Sequence, residues 1–403
     1  MPIYETEQTA YKPIDVGIVV LGHMPANEKA IIDSLPNVLT KWLKTRFKQF
    51  QWRFRITTLP CPQTALRQEP AFLLDEGARL RDLYQWDLGI VITPSDLVCR
   101  YKPFALAATS SALDLAVIST HRLGSTRVTK RDAKADNDRL LTQLQALCLR
   151  SIAHLSGLSK RPDHGNLMLS PLSPDDLLTK SDFDNEQIAT LNHNFELIAD
   201  PRLEEVKTSA RLSRFHFYFK SALINRHEIY AAVKHAKPWE FPLRLLRLSA
   251  AAISTMVVLM ITAETWDLAS KQPVDTLVAM VIITLITTIC FVTAKQRLLV
   301  RSHTRQLREQ SIITHISAIW IVAIGMVTTA LALISFSLLL SYLLYPPELV
   351  SNWANLSSQV NGHIVYSQTA IFVTSLSLFI GALGASFEEQ FHFRHIVFID
   401  EEL

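Results

Sequence analysis

The sequence predicts a chain of two parts, an α/β domain with a twisted mixed sheet followed by an all-α membrane region of four helices. Three observations predict it. Strand-like and helix-like stretches alternate over residues 15–158, which is typical of α/β domains. Residues 241–387 contain four apolar runs, each long enough to cross a bilayer core, which takes about 20 helical residues, and the third (313–345) exceeds that length. Lysine and arginine are concentrated in alternate connections between those runs, as in multi-pass proteins.

Apolar periodicity defines the elements of the α/β domain in chain order. Residues 15–23 (DVGIVVLGH) form an apolar run typical of a buried strand, and residues 27–47 have helical spacing with Asn27 as the N-cap. The other predicted elements are a half-buried strand over 52–60, a helix over 71–85, a core strand over 87–97, two strands within 104–123 and a long helix over 130–158.

These patterns divide the chain into five segments. An N-terminal extension (1–14) precedes the α/β domain (15–200), and a helical connector (201–240) leads to the membrane region (241–387). The four predicted spans are about 248–266, 273–294, 313–345 and 364–386. The last segment is a cytoplasmic tail (388–403). It ends in an apolar and acidic piece that resembles a strand and could dock back on the α/β domain.

The distribution of basic residues predicts that both termini lie in the cytoplasm. Basic residues precede the first span and fill the connection between spans two and three, at Lys234, Lys237, Arg244, Arg247, Lys295, Arg297, Arg301, Arg305 and Arg308. The other two connections hold only Lys271, and positive residues mark the cytoplasmic side. The start of the chain has no signal-peptide pattern, which agrees with a multi-pass protein of a bacterial-type inner membrane.

Charge and cysteine content argue against several classes of protein. The formal net charge of +3 does not indicate a basic surface that would bind nucleic acid. The four cysteines lack C-x-x-C spacing and are expected to be reduced structural thiols. No ionisable residue lies near the centre of a span, which counts against a pump. Serine and threonine in the spans could line a pore, although contacts between helices are the favoured interpretation.

Two features predict how the membrane helices are arranged. Small residues in GALGASF (381–387) have the spacing of a tight helix–helix contact, within or between protomers, at Gly381, Gly384 and Ala385. Aromatic rings prefer the boundary between lipid and water. We therefore place four aromatic residues at the outer boundary of the membrane, namely Trp266, Tyr342, Tyr345 and Trp353.

One stretch of the α/β domain resembles a known metal-binding motif. Residues 149–168, LRSIAHLSGLSKRPDHGNLM, fit the frame H-E-x-x-H-x-x-G-x-x-H-C-x-x-x-x-C-x-M without a gap. This frame is that of the archaemetzincins, a subfamily of the metzincin peptidases. In the resemblance Arg150 stands at the first histidine, Ser151 at the catalytic glutamate and Lys160 at the third histidine, while Arg161 and Asn166 replace the two cysteines. The residue types kept are those of His154, Gly157 and Met168.

Residues upstream extend the resemblance to about 15–175. The run DLGIVITPSDL (87–97), followed by residues 104–123, resembles the family's strand end, its substrate-facing edge strand and the next strand. The later C-x-x-C pair of the family is absent. The resemblance implies a metzincin-like fold with its edge strand near 104–109, a strand that in metzincins pairs with an extended peptide through main-chain hydrogen bonds.

The substitutions predict that zinc chemistry has been lost. A catalytic zinc of this class needs three neutral imidazoles and an open water position. Arg150 and Lys160 would place cations around the metal, and Ser151 cannot replace glutamate as a general base. We therefore expect a pseudopeptidase, not an enzyme, with no cofactor. A rebuilt metal site would use His154, Asp163 and His164, with His121 as a further donor. The favoured alternative is a buried His154 bonded to a carbonyl, a left-handed turn at Gly157 and a core Met168.

Three hypotheses for function follow, of which the least favoured is an active membrane hydrolase with an unusual site. The first is a non-enzymatic, homo-oligomeric sensor, scaffold or regulator, whose α/β domain binds a peptide or protein partner or serves only as a docking unit. The alternative is an oligomeric channel or transporter through the four-span bundle, gated by the soluble domain. The connector is expected either to lean on anionic lipid or to be merely solvated, through Arg211, Arg214, Lys220, Arg226, Lys234 and Lys237.

Overall fold

The computed structural model describes residues 12–60, 66–100, 102–124, 133–159, 166–179, 182–199, 214–299, 309–354, 362–385 and 390–403. The chain forms two compact units. The first contains positions up to 232 together with 300–314 and 398–403, and the second contains 233–299 and 315–397. The last residues of the tail therefore belong to the α/β unit, although the membrane region separates them from it in sequence.

The described strands of the first unit form one large sheet and one small one. The strands are β1 (Lys12–Leu21), β2 (Phe50–Leu59), β3 (Arg67–Gln68), β4 (Leu88–Thr93), β5 (Asp96–Leu97), β6 (Ala107–Ser110), β7 (Leu115–Ser119) and β8 (Glu401–Glu402). The large sheet has the order β2-β1-β4-β7-β6-β8, and β3 pairs with β5. Its first four strands are parallel, whereas β6 is antiparallel to both of its neighbours. The predicted mixed sheet is confirmed.

Helices cover both faces of this sheet. In chain order the helices of this region are α1 (Ala26–Arg46), α2 (Pro70–Tyr84), α3 (Ala133–Leu155), α4 (Asp176–Thr179) and α5 (Asn185–Ile198). Helices α6 (Arg214–Ile224) and α7 (Arg226–Ala236) follow them in the chain. The main core lies between the sheet and the face of α1, α3 and α5, with Ile18, Ile90 and Leu144 fully buried. Side chains alternate across a strand, so Val91 faces the other way and meets α2 near Gly77.

Several elements differ in detail from the sequence prediction. Helix α1 begins after Pro25, which has extended backbone angles and makes no side-chain cap, so the prediction of Asn27 as the N-cap is wrong. The two strands within 104–123 are shorter than expected, because Ser111–Asp114 form the turn between them. The connector is two helices with a break at Asn225, and its residues 201–213 lie outside the described part of the chain.

The second unit is helical. After a short 3-10 helix (Pro238–Glu240) come α8 (Phe241–Arg244), α9 (Leu246–Ile261), α10 (Ala263–Ser270), α11 (Val274–Lys295), α12 (Glu309–Leu344), α13 (Pro347–Trp353), α14 (Gly362–Ala385) and α15 (Gln390–Phe398). Helix α12 ends before the pair Pro346-Pro347, as expected from the missing amide hydrogens of proline. Helix α15 covers most of the tail, and the end of the tail forms the short strand β8 that docks on the α/β unit, as the sequence predicted.

Three of the described helices are long and apolar enough to cross a membrane, over Val274–Lys295, Ile312–Leu344 and Ile364–Gly384. A fourth crossing is counted only if the pair Arg226–Arg244 and Leu246–Ile261, bent by 46°, forms one span. The predicted first span, 248–266, is therefore not one continuous helix. At 16 residues, α9 rises about 24 Å, which is shorter than the roughly 30 Å of a bilayer core.

The break after α9 has a physical cause. Thr262 has extended backbone angles, φ −89° and ψ 117°, and separates α9 from α10. The indole Nε1 of Trp266 donates to the carbonyl oxygen of Met260 at 2.8 Å, which satisfies a carbonyl that the broken helix leaves open. Trp266 is fully buried and contacts the rings of Tyr345 and Trp353. It is therefore a packing residue of the second unit, and its predicted place at the outer boundary stays a prediction.

The close-approach motif packs within the chain. A Cβ on Gly384 would lie 2.7 Å from the Cβ of Ala251, and one on Gly381 would lie 2.9 Å from the Cβ of Ala252. Both alanines belong to α9, so the two glycines let α14 approach α9 closely. Of the two arrangements left open by the sequence, the structure contains the contact within the protomer.

Candidate functional site

Helix α3 carries two buried polar side chains on one face. Arg150 and His154 are four residues apart, which places them one above the other on a helix. Arg150 is 1% exposed and His154 is 3% exposed. Ser151, at the position of the family's glutamate, is also buried. Apolar residues of α3 such as Leu144, Leu147 and Ile152 recur at helical spacing and are buried in the core. They fix the position of the helix and therefore of its polar side chains.

The turn after α3 brings the chain back beneath the helix. Gly157 has φ +90°, and its amide donates to the carbonyl of His154 at 2.9 Å, which ends the helix in a left-handed turn. Met168 is fully buried, and its amide donates to Oδ1 of Asn166 at 2.8 Å. Asn166 in turn donates to Oε1 of Gln187 in α5. These hydrogen bonds hold residues 166–168 next to Arg150.

The end of the chain lies along β6 as the outermost strand of the sheet. The amide of Asp400 donates to the carbonyl of Thr109 at 2.9 Å, and the amide of Leu403 donates to the carbonyl of Ala107 at 2.8 Å. In return the amide of Leu106 donates to the carbonyl of Leu403 at 2.6 Å. We call residues 400–403 the tail strand. It occupies the edge that the sequence analysis predicted to be open for a peptide.

The tail strand brings a carboxylate to Arg150. Nη2 of Arg150 donates to Oε1 of Glu401 at 2.7 Å, and Ser170 Oγ donates to the same oxygen at 3.2 Å. Nη1 of Arg150 donates to the carbonyl of Leu167 at 3.0 Å. Burial lowers the pKa of Arg150, and the Glu401 carboxylate opposes that shift. Both side chains of the pair are 1% exposed, so this is a fully buried ion pair.

The neighbouring carboxylates of the tail strand also lie in buried surroundings. Burial raises the pKa of Asp400 to about 7, although its Oδ2 accepts a hydrogen bond from the amide of Ser111. His154 lies beside both acids, with Nε2 3.9 Å from Oδ2 of Asp400 and Nδ1 3.6 Å from Oε2 of Glu401. These separations exceed a hydrogen bond, so the contact is electrostatic.

The other side of the tail strand has its own partners. Oε1 of Glu402 accepts a hydrogen bond from the amide of Arg100 at 2.9 Å, and Glu402 is 5% exposed. Leu403 is buried in the main hydrophobic core. Successive side chains of a strand point to opposite faces, which explains why Glu401 meets α3 while Glu402 meets the segment after β5.

The turn between β6 and β7 connects the tail strand with two other elements. Ser111, in this turn, donates to Asp400. Nη1 of Arg81 in α2 donates to the carbonyl of Leu113. Oγ1 of Thr314, near the start of α12, donates to the carbonyl of Ala112 at 2.9 Å. Three parts of the chain therefore meet on one four-residue turn.

The residues of this site do not fit a zinc centre of the metzincin type. A buried guanidinium paired with Glu401 takes the place where the motif has its first histidine, and it offers no lone pair to a metal. No group of three histidine, cysteine, aspartate or glutamate side chains within the described ranges could hold a metal ion. Of the donors considered for a rebuilt site, His121 is exposed, while Asp163 and His164 lie outside the described residues.

The other predicted site residues are placed as follows. Lys160 and Arg161 of the motif, and Arg211 of the connector, lie outside the described part of the chain. Four connector cations are exposed on α6 and in or just after α7, namely Lys220, Arg226, Lys234 and Lys237. Arg214 is the first residue of α6. Sequence reasoning missed the role of Asp400, Glu401 and Glu402. The available signal was an acidic stretch near the end of the chain together with an arginine at a buried helix position.

Part of the chain is similar to several solved protein structures. No protein-family model and no curated protein matches the chain. An archaemetzincin from Methanopyrus kandleri is 17% identical over 46% of this chain and 97% of its own, with a TM-score of 0.37. A zinc-dependent peptidase from Methanocorpusculum labreanum is 16% identical over 44% of this chain and 100% of its own, with a TM-score of 0.35.

A third solved structure is an archaemetzincin from Archaeoglobus fulgidus in complex with malonate. It is 17% identical over 44% of this chain and 99% of its own, with a TM-score of 0.32. These structural neighbours are zinc peptidases, and this finding overturns the prediction that the chain is not an enzyme. The altered motif positions alone do not assign the chain to a non-enzymatic class.

Proposed function

We propose that this chain is an integral membrane protein whose α/β unit binds an extended peptide strand, acting as a sensor, scaffold or regulator. The observation that carries the proposal is the pairing of the tail strand with β6. Main-chain pairing at a sheet edge gives affinity that requires no metal, and pockets for alternate side chains give specificity. The tail strand has both, because its amides pair with Ala107 and Thr109 while its side chains enter buried surroundings.

The sequence resemblance to metzincins supports the same interpretation. In metzincins the edge strand receives an extended peptide, and the resemblance assigns that strand to the region near 104–109. The tail strand pairs with Ala108 and Thr109, at this position in the chain. A metzincin-like fold with an occupied edge strand is therefore the finer fold that we propose for the first unit.

The proposed location is a bacterial-type inner membrane, with the α/β unit in the cytoplasm. Basic residues before the first span and between spans two and three support this orientation. Four crossings are part of the proposal, since an even number keeps both ends of the chain on one side. The bent pair Arg226–Arg244 and Leu246–Ile261 supplies the fourth crossing, with its apolar second helix in the bilayer and its basic first helix on the cytoplasmic side. The exposed cations Lys234 and Lys237 are then placed near anionic headgroups.

Orientation is tested by cysteine labelling in intact cells, in a background that lacks the native cysteines. Arg53 in β2 and Glu348 in α13 are both exposed and serve as a matched pair for substitution by cysteine. A membrane-impermeant maleimide is expected to label Glu348→Cys directly and Arg53→Cys only after permeabilisation. Labelling of Arg53→Cys in intact cells would contradict the proposed location. The predicted homo-oligomer, and the alternative of a channel, stay predictions.

Strand binding is tested with the full-length protein in nanodiscs, from which residues 399–403 are deleted. A fluorescent peptide with the sequence Ile-Asp-Glu-Glu-Leu of those residues is titrated, and saturable binding is expected. The matched control is the same peptide methylated on the leucine amide, which corresponds to the amide that donates to Ala107. Equal binding of both peptides, or of neither, would refute strand pairing at β6.

A further inference from the structure

The tail strand presents three consecutive carboxylates, and each of them has its own donor within the first unit. Asp400 accepts from the amide of Ser111, Glu401 from Arg150 and Ser170, and Glu402 from the amide of Arg100. Taking a carboxylate out of water costs several kcal/mol unless it is paired and hydrogen-bonded. A strand that only covers an edge would avoid this desolvation cost if its buried side chains were apolar. The presence of a donor for each carboxylate therefore indicates recognition of acidic side chains.

Arg150 is held in part by contacts outside the tail strand. Its Nη1 is held by the carbonyl of Leu167, and its side chain is packed in the core, so only Nη2 is directed at the tail strand. A neutral strand at this edge would bury the guanidinium without a carboxylate partner, which is strongly unfavourable. An emptied edge therefore favours a new acidic strand over a neutral one.

The apolar end of the tail strand fixes its register. Leu403 is buried in the core. Its amide donates to the carbonyl of Ala107 in β6, and its carbonyl accepts from the amide of Leu106 just before β6. A shift by one residue would bring Glu402 instead of Glu401 to the face of α3, because side chains alternate. The pattern that fits the edge is therefore an aspartate, two glutamates and a leucine in succession.

Building on the proposed function, we propose that the β6 edge with Arg150 is a receptor for acidic strands of this pattern, and that the tail strand is its resident occupant, which an acidic segment of a partner protein replaces. Arg150 is the specificity-determining residue. A resident strand acts as a tethered competitor at an effective concentration in the millimolar range. The partner segment then binds after release of the tail strand, or by having a higher affinity than the tail strand.

The test uses the full-length protein lacking residues 399–403 and three peptides, with the sequences Ile-Asp-Glu-Glu-Leu, Ile-Asp-Gln-Glu-Leu and Ile-Asp-Glu-Gln-Leu. Glutamine at the position of Glu401 is expected to weaken binding roughly a hundredfold, because it leaves the Arg150 cation without its carboxylate. Glutamine at the position of Glu402, whose donor is a backbone amide, is expected to weaken binding less than about tenfold. In Arg150→Gln the first peptide is expected to lose its preference over the second.

The outcomes separate the two proposals. Equal binding of all three peptides would overturn acid recognition and leave strand binding intact, whereas binding of none of them would overturn both. The intact chain is expected to bind the acidic peptide at least about tenfold more weakly than the deletion variant, independently of protein concentration. A weakening that grows with protein concentration would mean that tails exchange between copies of the chain, and would overturn the assignment of a resident tail strand.

Discussion

Nη2 of Arg150 lies 2.7 Å from Oε1 of Glu401, a residue 251 positions later in the chain, and both side chains are 1% exposed. This ion pair connects the C-terminal part of α3 with the outermost strand of the sheet. It also occupies a motif position that, in the family resembled by the sequence, belongs to a metal ligand. The pair therefore explains how a cation can be retained at a buried position of this helix.

Removal of one partner of this pair is predicted to destabilise the α/β unit. In Arg150→Met we expect a loss of about 3 kcal/mol in unfolding free energy, because Glu401 is left as a buried charge without its partner. In the double variant Arg150→Met, Glu401→Met we expect most of that loss to be recovered. Denaturant unfolding of the full-length protein, followed by tryptophan fluorescence, measures both.

An exposed pair provides the control for this prediction. Arg79 and Glu76 form an ion pair at 3.1 Å on α2, where the arginine side chain is 43% exposed. Arg79→Met is expected to cost less than about 1 kcal/mol. If Arg150→Met cost no more than Arg79→Met, the buried pair would not hold the tail strand in solution.

The sequence was sufficient for the elements whose signal is local. The apolar run of Ile18 and its neighbours and the helical spacing around Leu144 each report the burial of a continuous segment, so periodicity finds them. The left-handed turn at Gly157 is equally local, because it depends on the conformational freedom of one glycine.

The elements that the sequence could not predict depend on non-local partners. Glu401 and Glu402 have the composition of an exposed acidic end, and only pairing with Ala108 and Thr109 makes them a buried strand. The break at Thr262 likewise follows from tertiary packing, because Trp266 closes the end of α9 from a position after the break. The composition of the tail predicted a strand that docks on the α/β domain, but it did not predict the partners of its carboxylates.

Close packing between α14 and α9 leads to a second prediction. Gly384→Val is expected to destabilise the second unit by about 1–3 kcal/mol, because its Cβ would lie 2.7 Å from that of Ala251. Ile380→Val introduces the same residue at a position of α14 that is 41% exposed, and it is expected to be nearly neutral. Thermal unfolding in detergent measures both variants. Equal melting temperatures would show that α14 does not rest on α9.

The bond from Thr314 to the β6–β7 turn leads to a third prediction. Thr314→Val removes the donor to the buried carbonyl of Ala112 and is expected to destabilise the turn locally by about 1–3 kcal/mol. Faster hydrogen exchange at the amides of Ser111 and Leu113 measures the effect. The control is Ser335→Ala, whose hydroxyl bonds to Leu331 within its own helix. Unchanged exchange in Thr314→Val would show that α12 does not stabilise the turn.

The buried carboxyl of Asp400 predicts that docking of the tail strand depends on pH. Burial raises its pKa to about 7 in the docked state, from an ordinary value of 3.8, and the nearby carboxylates of Glu401 and Asp114 raise it further, against the hydrogen bonds from Ser111. His154 is the nearby imidazole, 3.9 Å away. Because the docked pKa is the higher one, the contribution of Asp400 to docking is complete below about pH 4 and is lost as the pH rises through 7.

Between pH 6 and pH 8 the affinity of the deletion variant for the Ile-Asp-Glu-Glu-Leu peptide is therefore expected to fall about tenfold. A peptide with asparagine at the position of Asp400 cannot take up this proton, so its affinity should stay nearly constant over the same range. Comparison of the two peptides isolates the aspartate, since a contribution from His154 would affect both. If the two affinities changed in parallel, the proton taken up on docking would not be held by Asp400.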